Sequence, residues 1–448
     1  MTEIRTHRPL SPLERMWTFM HELSPLHVVA SVHLEGALSA SALRAGARAA
    51  TAAHPLLRVR IHARADGADP WFMPMADPVL PIRTVEADIA DAQVVAREID
   101  YENTDPVDPA RGPLARLVDV VRGAGTEHES HDLILTAGHV IADGRGLVSV
   151  LRGIVEEAAR FEADGVELEV RSRDPLPAAD DLLPRRTRSV PRAAGVSVAD
   201  ALRTALRRPL RLRTDAEVPI TGRWTATVRR RLTRDEVELL GAACREHGVT
   251  VQGALLAAMA LALGADLDAG ARASVVIGSA VDIRRDLEPV VDPADLGFYA
   301  ATVPLGLPCG PEAEFWAIAG KSGAELRARV RRRTHLTMFA ATRLVTPKSR
   351  GRAARVIDLV DRKGPINLFI TNIGRVDFPE RIGAWAVSAV QFTGGLSCTG
   401  RFALTVSTHC GAMYLNFIYV DRLISAQRVE RTAERALAAL RAHAVAVR

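Results

Sequence analysis

The sequence predicts an α/β protein made of two sandwich-like halves, and three observations carry that reading. At 448 residues the chain exceeds one ordinary core and accommodates two domains of about 200 residues each. Segments with the alternation of strands and segments with the spacing of helices are interleaved in both halves. Between the halves a stretch rich in proline and arginine breaks the pattern. The expected division is a first unit over residues 1–175, a basic linker over 176–220 and a second unit over 221–448.

In the first half, Ser11 is placed to cap a short helix that starts at Pro12, with Glu14 completing a capping box. His27–Glu35 alternates like a strand. Ser39 then caps a helix through Ala42, Leu43, Ala47 and Ala50, which must stop before Pro55 because proline disfavours helix at His54. Leu56–Ala63, Leu114–Arg122 and Asp132–Ala137 read as strands, and Leu147–Arg160 as a helix.

The interruption carries Pro175, Pro177, Pro184, Pro191 and Pro209, and arginines from Arg185 to Arg213. It reads as a linker with one basic helix near Val198–Arg208. Its charge fits either a solvated connector or a surface that meets phosphates of coenzyme A or an acidic carrier protein.

Alternation restarts at Trp224–Leu232. Thr233 and Glu236 form a second capping box for a helix to about Glu246, and Thr250 caps an apolar helix over Val251–Leu263. Ser274–Asp282, Asn367–Thr371, Trp385–Phe392, Arg401–Ser407 and Ala412–Tyr419 read as strands. A final amphipathic helix covers Ala426–His443.

Composition excludes several classes. Net charge is +5, and the only lysines are Lys321, Lys348 and Lys363, so arginine supplies nearly all the positive charge. So modest a charge does not point to nucleic acid. Cys244, Cys309, Cys398 and Cys410 are scattered, without the spacing of a zinc site or a disulfide framework, and read as free thiols. The first residues, Met1 to Pro9, carry no apolar signal core, and Val251–Leu263 is shorter than the roughly 20 residues of a membrane span. The expectation is a soluble, monomeric, cytoplasmic protein.

The chemistry-bearing segment is Leu133–Gly144. A buried-type strand runs into His139, an acid follows at Asp143, and Gly144 permits a tight turn before the next helix. Imidazole titrates near neutrality, so a rigidly held His139 is suited to take a proton from a hydroxyl or amine. The competing reading is a satisfied core histidine in a turn whose Asp143 only caps the helix. No third ligand stands at a spacing that would make His139 and Asp143 a metal site.

Around that segment the chain resembles the condensation-domain and chloramphenicol-acetyltransferase-like superfamily, above all polyketide-associated acyltransferases of the phthiocerol dimycocerosyl transferase type. The resemblance rests on ordered landmarks: Ser11–Glu14, His54–Arg58, His139–Gly144, Val281–Arg285, Leu296–Tyr299 and Thr371–Asp377. It implies two similar subdomains with mixed sheets and an active-site tunnel between them. It implies His139 as general base, and a structural Asp143 paired with Arg284, with Arg285 in reserve. The donor is then an acyl thioester, on coenzyme A or a phosphopantetheinyl carrier protein, with no bound cofactor or metal, and the acceptor a small-molecule alcohol. Gly138 stands where amide-forming relatives carry a second histidine, and the Asp-Phe-Gly-Trp-Gly motif of plant-type relatives is absent. Both departures favour ester formation. A free-standing condensation enzyme that makes amides and a non-catalytic carrier-docking module are the other readings.

Secondary candidates follow. Asn372 suits a tunnel-lining group that holds an acyl oxygen, or a turn. Ser407 and Thr408 suit oxyanion support, or plain sheet hydroxyls. Gln391–Gly395 reads as a turn beside the tunnel, and His54 as a helix end. No Gly-x-Ser-x-Gly elbow or phosphate loop is present.

Overall fold

Local capping chemistry sets the first elements. In the computed structural model, Ser11 Oγ accepts from Glu14 N at 3.2 Å and the Glu14 carboxylate accepts from Ser11 N at 2.8 Å. Thr233 and Glu236 repeat the exchange at 3.3 and 2.7 Å. Ser39 and Thr250 cap their helices through Ala42 N and Gly253 N. Each such cap supplies a partner for helix-end N–H groups that have none inside the helix. The structure describes residues 8–167, 169, 176–364, 366–396, 398 and 400–445. Pro175, and with it the end of the first unit at residue 175, lies outside them.

The first half runs β1 (Arg8–Pro9), α1 (Pro12–Leu23), β2 (His27–Glu35), α2 (Ala40–Ala53), β3 (Val59–His62), β4 (Trp71–Pro74), β5 (Ile82–Ala87), α3 (Val94–Thr104), β6 (Ala115–Arg122), β7 (Ser130–Gly138) and α4 (Gly144–Asp164). The connecting stretch holds α5 (Ala179–Leu182) and α6 (Val190–Arg207). The second half runs β8 (Thr225–Leu232), α7 (Arg234–Glu246), α8 (Val251–Asp266), β9 (Ser274–Asp282), β10 (Ala300–Pro308), α9 (Phe315–Arg331), α10 (Thr334–Val345), α11 (Arg350–Lys363), β11 (Ile366–Arg375), β12 (Arg381–Ile382), β13 (Trp385–Gly394), β14 (Phe402–His409), β15 (Ala412–Val420) and α12 (Ala426–Val445).

Two mixed six-stranded sheets result, in the orders β12-β13-β2-β7-β6-β5 and β10-β9-β11-β14-β15-β8, with β1, β4 and β3 in a small third sheet. In the first large sheet only β5 and β6 run parallel; in the second, β11 runs parallel to both neighbours. The two-sandwich α/β expectation therefore holds. Val28, Ala30, Val32 and Leu34 of β2 pack with α2 and α4, while Val29 joins Val94 and Ile99 of α3 on the opposite face. α2 and α4 touch backbone to backbone: a Cβ on Gly46 would lie 2.3 Å from the Ile154 carbonyl oxygen. α8 is apolar on every side and buried under the second sheet, with Gly264 against the Cys309 carbonyl.

The sheets do not divide where the sequence divides. β12 and β13 lie within residues 221–448, yet β13 pairs with β2, from Ala386 against Glu35 to Gly394 against Val28, and β12 adds to the sheet outside β13. The second unit thus lends two strands to the first sheet before β14 returns to its own. Side chains across the gap secure the exchange: Thr405 Oγ1 and Asn416 Nδ2 donate to the Phe392 carbonyl at 2.7 and 2.9 Å, and Ser407 Oγ donates to the Val390 carbonyl at 3.0 Å. Alternation marks Trp385–Phe392 as a strand but carries no information on its partner.

Smaller differences have local causes. Leu56–Ala63 begins as a helical turn over Pro55–Arg58, because Pro55 suits a first helical position, and only Val59–His62 is strand. The linker helix starts earlier than expected, at Val190, with Pro191 in its first turn. β10 escapes the sequence pattern because Pro304, Gly306 and Pro308 interrupt it; as the edge strand beside β9 it tolerates them. No single helix among the described residues is long and apolar enough to cross a membrane.

The crossover makes a direct prediction. Residues 1–176 expressed alone leave the edge of β2 without β13, an exposed template for aggregation. They are expected to show no cooperative thermal transition and to aggregate; a soluble, cooperatively melting fragment would count against the exchange as a requirement for folding.

Candidate functional site

β7 delivers the chain to His139 just past its last residue, Gly138, and residues 139–142 turn into α4. His139 N donates to the Leu26 carbonyl at 3.1 Å, which ties the turn to the start of β2. The ring Nδ1 lies 2.8 Å from the Ala142 carbonyl oxygen. A carbonyl only accepts, so Nδ1 carries the proton and Nε2 keeps its lone pair. Trp17 of α1 stacks on the imidazole at 4.9 Å and 23°, and the Phe298 ring meets it edge-on at 5.1 Å and 72°. The ring retains some solvent access but is crowded by protein atoms. Burial pushes the His139 pKa below its ordinary 6.5, and the Ala142 carbonyl and the Asp143 charge do not offset that. At neutral pH the side chain is an oriented, uncharged base.

Asp143 is engaged by four hydrogen bonds. Its Oδ1 accepts from Gly146 N at 2.8 Å and Arg284 Nη2 at 3.0 Å; its Oδ2 accepts from Tyr299 N at 2.9 Å and Arg284 Nη1 at 2.9 Å. One carboxylate therefore caps α4 and also holds the arginine that follows β9. Arg284 is only 1% exposed, lies 4.7 Å over the Tyr299 ring and shares Nη1 with Asp282 at 3.3 Å. Burial pushes the Asp143 pKa up, but Arg284 and the two backbone N–H groups outweigh it, and the net direction is down. Arg285, next in the chain, is exposed.

Gly144 is the first residue of α4 and has no left-handed backbone, contrary to the tight-turn expectation. What requires glycine there is Phe392 of β13: a Cβ on Gly144 would stand 2.5 Å from its ring. The crossover strand and the His139 turn thus touch at a position that admits no side chain.

A cavity of about 180 Å³ opens between the two sheets against His139, walled largely by Trp17, Val28, Phe298, Phe369 and Phe392. On another side of the histidine a gap of about 10 Å³ beside Thr18 and Gly138 shares Thr18, Ile61 and Pro109 with a cleft of about 720 Å³. Space therefore reaches His139 from two directions and is pinched on the second. Asn372 and Ser407 do not line the cavity. Asn372 Oδ1 accepts from Gly374 N at 2.8 Å in a bulge of β11, and Ser407 is spent on Val390. Thr408 is likewise absent from the wall, and His54 ends α2 as expected.

Sequence reasoning missed the aromatic clamp. Trp17 sits on a helix face where an aromatic reads as core, and Phe298 stands inside a landmark without a chemical signal of its own. Two buried donors without a protein partner, Trp17 Nε1 and Thr393 Oγ1, also belong to residues on the cavity wall. Among the described residues no group of three His, Cys, Asp or Glu side chains is arranged to hold a metal ion.

Residues 221–399 match the model of the family described as phthiocerol/phthiodiolone dimycocerosyl transferase C-terminus. Solved structures share the fold over nearly the whole chain. Polyketide synthase associated protein 5 from Mycobacterium tuberculosis aligns at TM-score 0.72 and 16% identity, covering 98% of each chain. The trichothecene 15-O-acetyltransferase of Fusarium sporotrichioides aligns at 0.74 and 13%, covering 98% of this chain and 95% of its own. The condensation domain of the Monacolin K polyketide synthase aligns at 0.70 and 17%, covering 98% of each. No curated protein matches the chain by sequence. The condensation-domain and chloramphenicol-acetyltransferase-like resemblance thus extends to the fold of both halves.

Removing Arg284 leaves a buried carboxylate unpaired. Arg284→Leu is expected to cost about 3–5 kcal/mol of stability, read from denaturant unfolding. Because the folded Asp143 pKa lies below its ordinary 3.8, its contribution is complete above about pH 4 and drains as pH falls through the folded value. Thermal melts between pH 5 and 2 should fall more steeply for wild type than for Asp143→Asn; parallel curves would contradict the assignment.

Proposed function

We propose that the chain is an O-acyltransferase in which His139 is the general base. The observation that carries the reading is the uncharged His139, its Nδ1 fixed on Ala142 and its Nε2 unprotonated beside a cavity between the two sheets. Support comes from the family model over residues 221–399 and from a fold shared with acyltransferases and condensation domains.

The donor is an acyl thioester of coenzyme A or of a carrier protein, and the acceptor is a hydroxyl on a polyketide, lipid or other secondary metabolite. The acceptor O–H gives its proton to His139 Nε2 while the oxygen attacks the thioester carbonyl carbon. The tetrahedral oxyanion collapses, the C–S bond breaks, and the thiolate takes the proton back from the imidazolium. The products are an ester and a free thiol, so the protein returns to its starting state. Asp143 takes no proton in this cycle. Asn372 and Ser407 stand off the cavity, so the oxyanion role passes to the unpartnered donors on its wall, Trp17 Nε1 and Thr393 Oγ1. A buried donor without a partner carries a desolvation cost that a substrate oxygen removes. Gly138 in place of a second histidine keeps the ester reading ahead of amide formation, and a matched pair of alcohol and amine acceptors decides between them.

General-base catalysis contributes about 10²–10⁴-fold, so His139→Ala should lose that much in kcat while melting like wild type. Unchanged turnover by His139→Ala would refute the mechanism. With the His139 pKa below 6.5, log(kcat/KM) should stay flat from pH 8 down past 6.5 and bend only in more acid solution. Thr393→Val should lower kcat by up to about 10²–10³-fold with little change in KM; a change in KM alone would assign Thr393 to ground-state binding.

A further inference from the structure

Two spaces meet at Phe298. One is the cavity of about 180 Å³ against His139. The other, of about 350 Å³, lies between the N-terminal strand, the end of α2 and the loop before β10, with Leu56, Phe72, Leu176 and Leu296 among its walls and the Arg8–Glu14 ion pair on its rim. Among the described residues Phe298 is the one residue that belongs to both walls. Its ring is held from the cavity side by Trp17 at 5.1 Å and by His139 at 5.1 Å.

The chemistry of the spaces around His139 differs by side. The 720 Å³ cleft beyond the pinched gap presents Arg60, Arg350, Glu22 and Asp108, and suits a polar carrier arm. The 180 Å³ cavity presents mostly aromatic and aliphatic side chains, with Thr302, Thr371, Thr393 and Thr405 among them, and suits a chain of methylenes. A dry apolar cavity of about 150 Å³ takes one benzene molecule, so 180 Å³ takes about seven carbon atoms.

Resting on the acyl-transfer reading above, we propose that this cavity is the acyl subsite, that it takes a saturated straight chain of about six to eight carbons, and that the Phe298 ring closes it against longer ones. A chain that outgrows the cavity meets Phe298 first, and behind that ring lies the second pocket. Phe298 is then the residue that sets chain-length specificity.

Binding of S-alkyl pantetheine thioethers tests this on the full chain without turnover, because a thioether has no carbonyl to attack. Each buried methylene is worth about fourfold in affinity. Titration calorimetry on wild type should show that gain up to about seven carbons and none beyond. In Phe298→Ala the break should move several carbons longer, as the second pocket joins the first. In Phe298→Trp, which keeps the wall and thickens it, the break should move shorter. Affinity that climbs undiminished past twelve carbons in wild type, or a break that stays in place in both variants, overturns the proposal. A break with 1-alkanols and none with thioethers also overturns it, by giving the cavity to the acceptor. Turnover of the corresponding acyl thioesters is scored separately. Absence of transfer at every length removes the acyl-transfer reading, whereas transfer with no break in chain length removes the subsite alone.

Discussion

The buried contact between Asp143 and Arg284 is the constraint on which the site depends. Asp143 belongs to the turn that follows β7, in the first sheet, and Arg284 to the turn that follows β9, in the second. Four hydrogen bonds converge on one carboxylate, two from the guanidinium and two from backbone N–H groups of α4 and Tyr299. Because both partners are desolvated, neither is stable alone, and the pair fixes the separation of the sheets at the point where His139 emerges. Tyr299 N donates to the same carboxylate, so the contact also positions Phe298, one residue before it, against the His139 ring.

That arrangement separates chemistry from architecture within five residues. His139 keeps a free lone pair because its other nitrogen is committed to Ala142 and because burial disfavours the charged ring. Asp143, although only four residues away, is fully engaged by Arg284, Gly146 and Tyr299. The aromatic neighbours add a second function: Trp17 and Phe298 hold the imidazole plane and at the same time bound the cavity it faces.

The strand exchange gives the cavity its remaining wall. β13 leaves the second half to pair with β2, and Phe392 on that strand fills the space above Gly144. Thr405, Ser407 and Asn416 then anchor the strand from the sheet it left. The Ser407 hydroxyl, which looked suited to oxyanion support, is spent on this anchoring. Strands that cross between the halves also explain why the site is built by both, and why cutting the chain at its linker does not isolate a sheet.

The sequence by itself determined the two-sandwich α/β class, the two capping boxes and the strand–His139–Asp143–helix order. These are legible because they rest on short-range signals: alternation, cap residues and a motif whose members are adjacent in the chain. The pairing of Asp143 with an arginine of the second half was implied by the family resemblance alone. The sequence did not determine that β12 and β13 serve the first sheet, that Gly144 is needed for Phe392 rather than for a turn, or that Trp17 and Phe298 clamp the histidine. Nor did it show that Asn372 and Ser407 face away from the cavity. Each of those depends on which surfaces meet across distant parts of the chain, and alternation tells which face of a strand is apolar without telling what will cover it. Only the folded arrangement, held at the Asp143–Arg284 contact, set a histidine at a strand end beside a cavity between the two sheets.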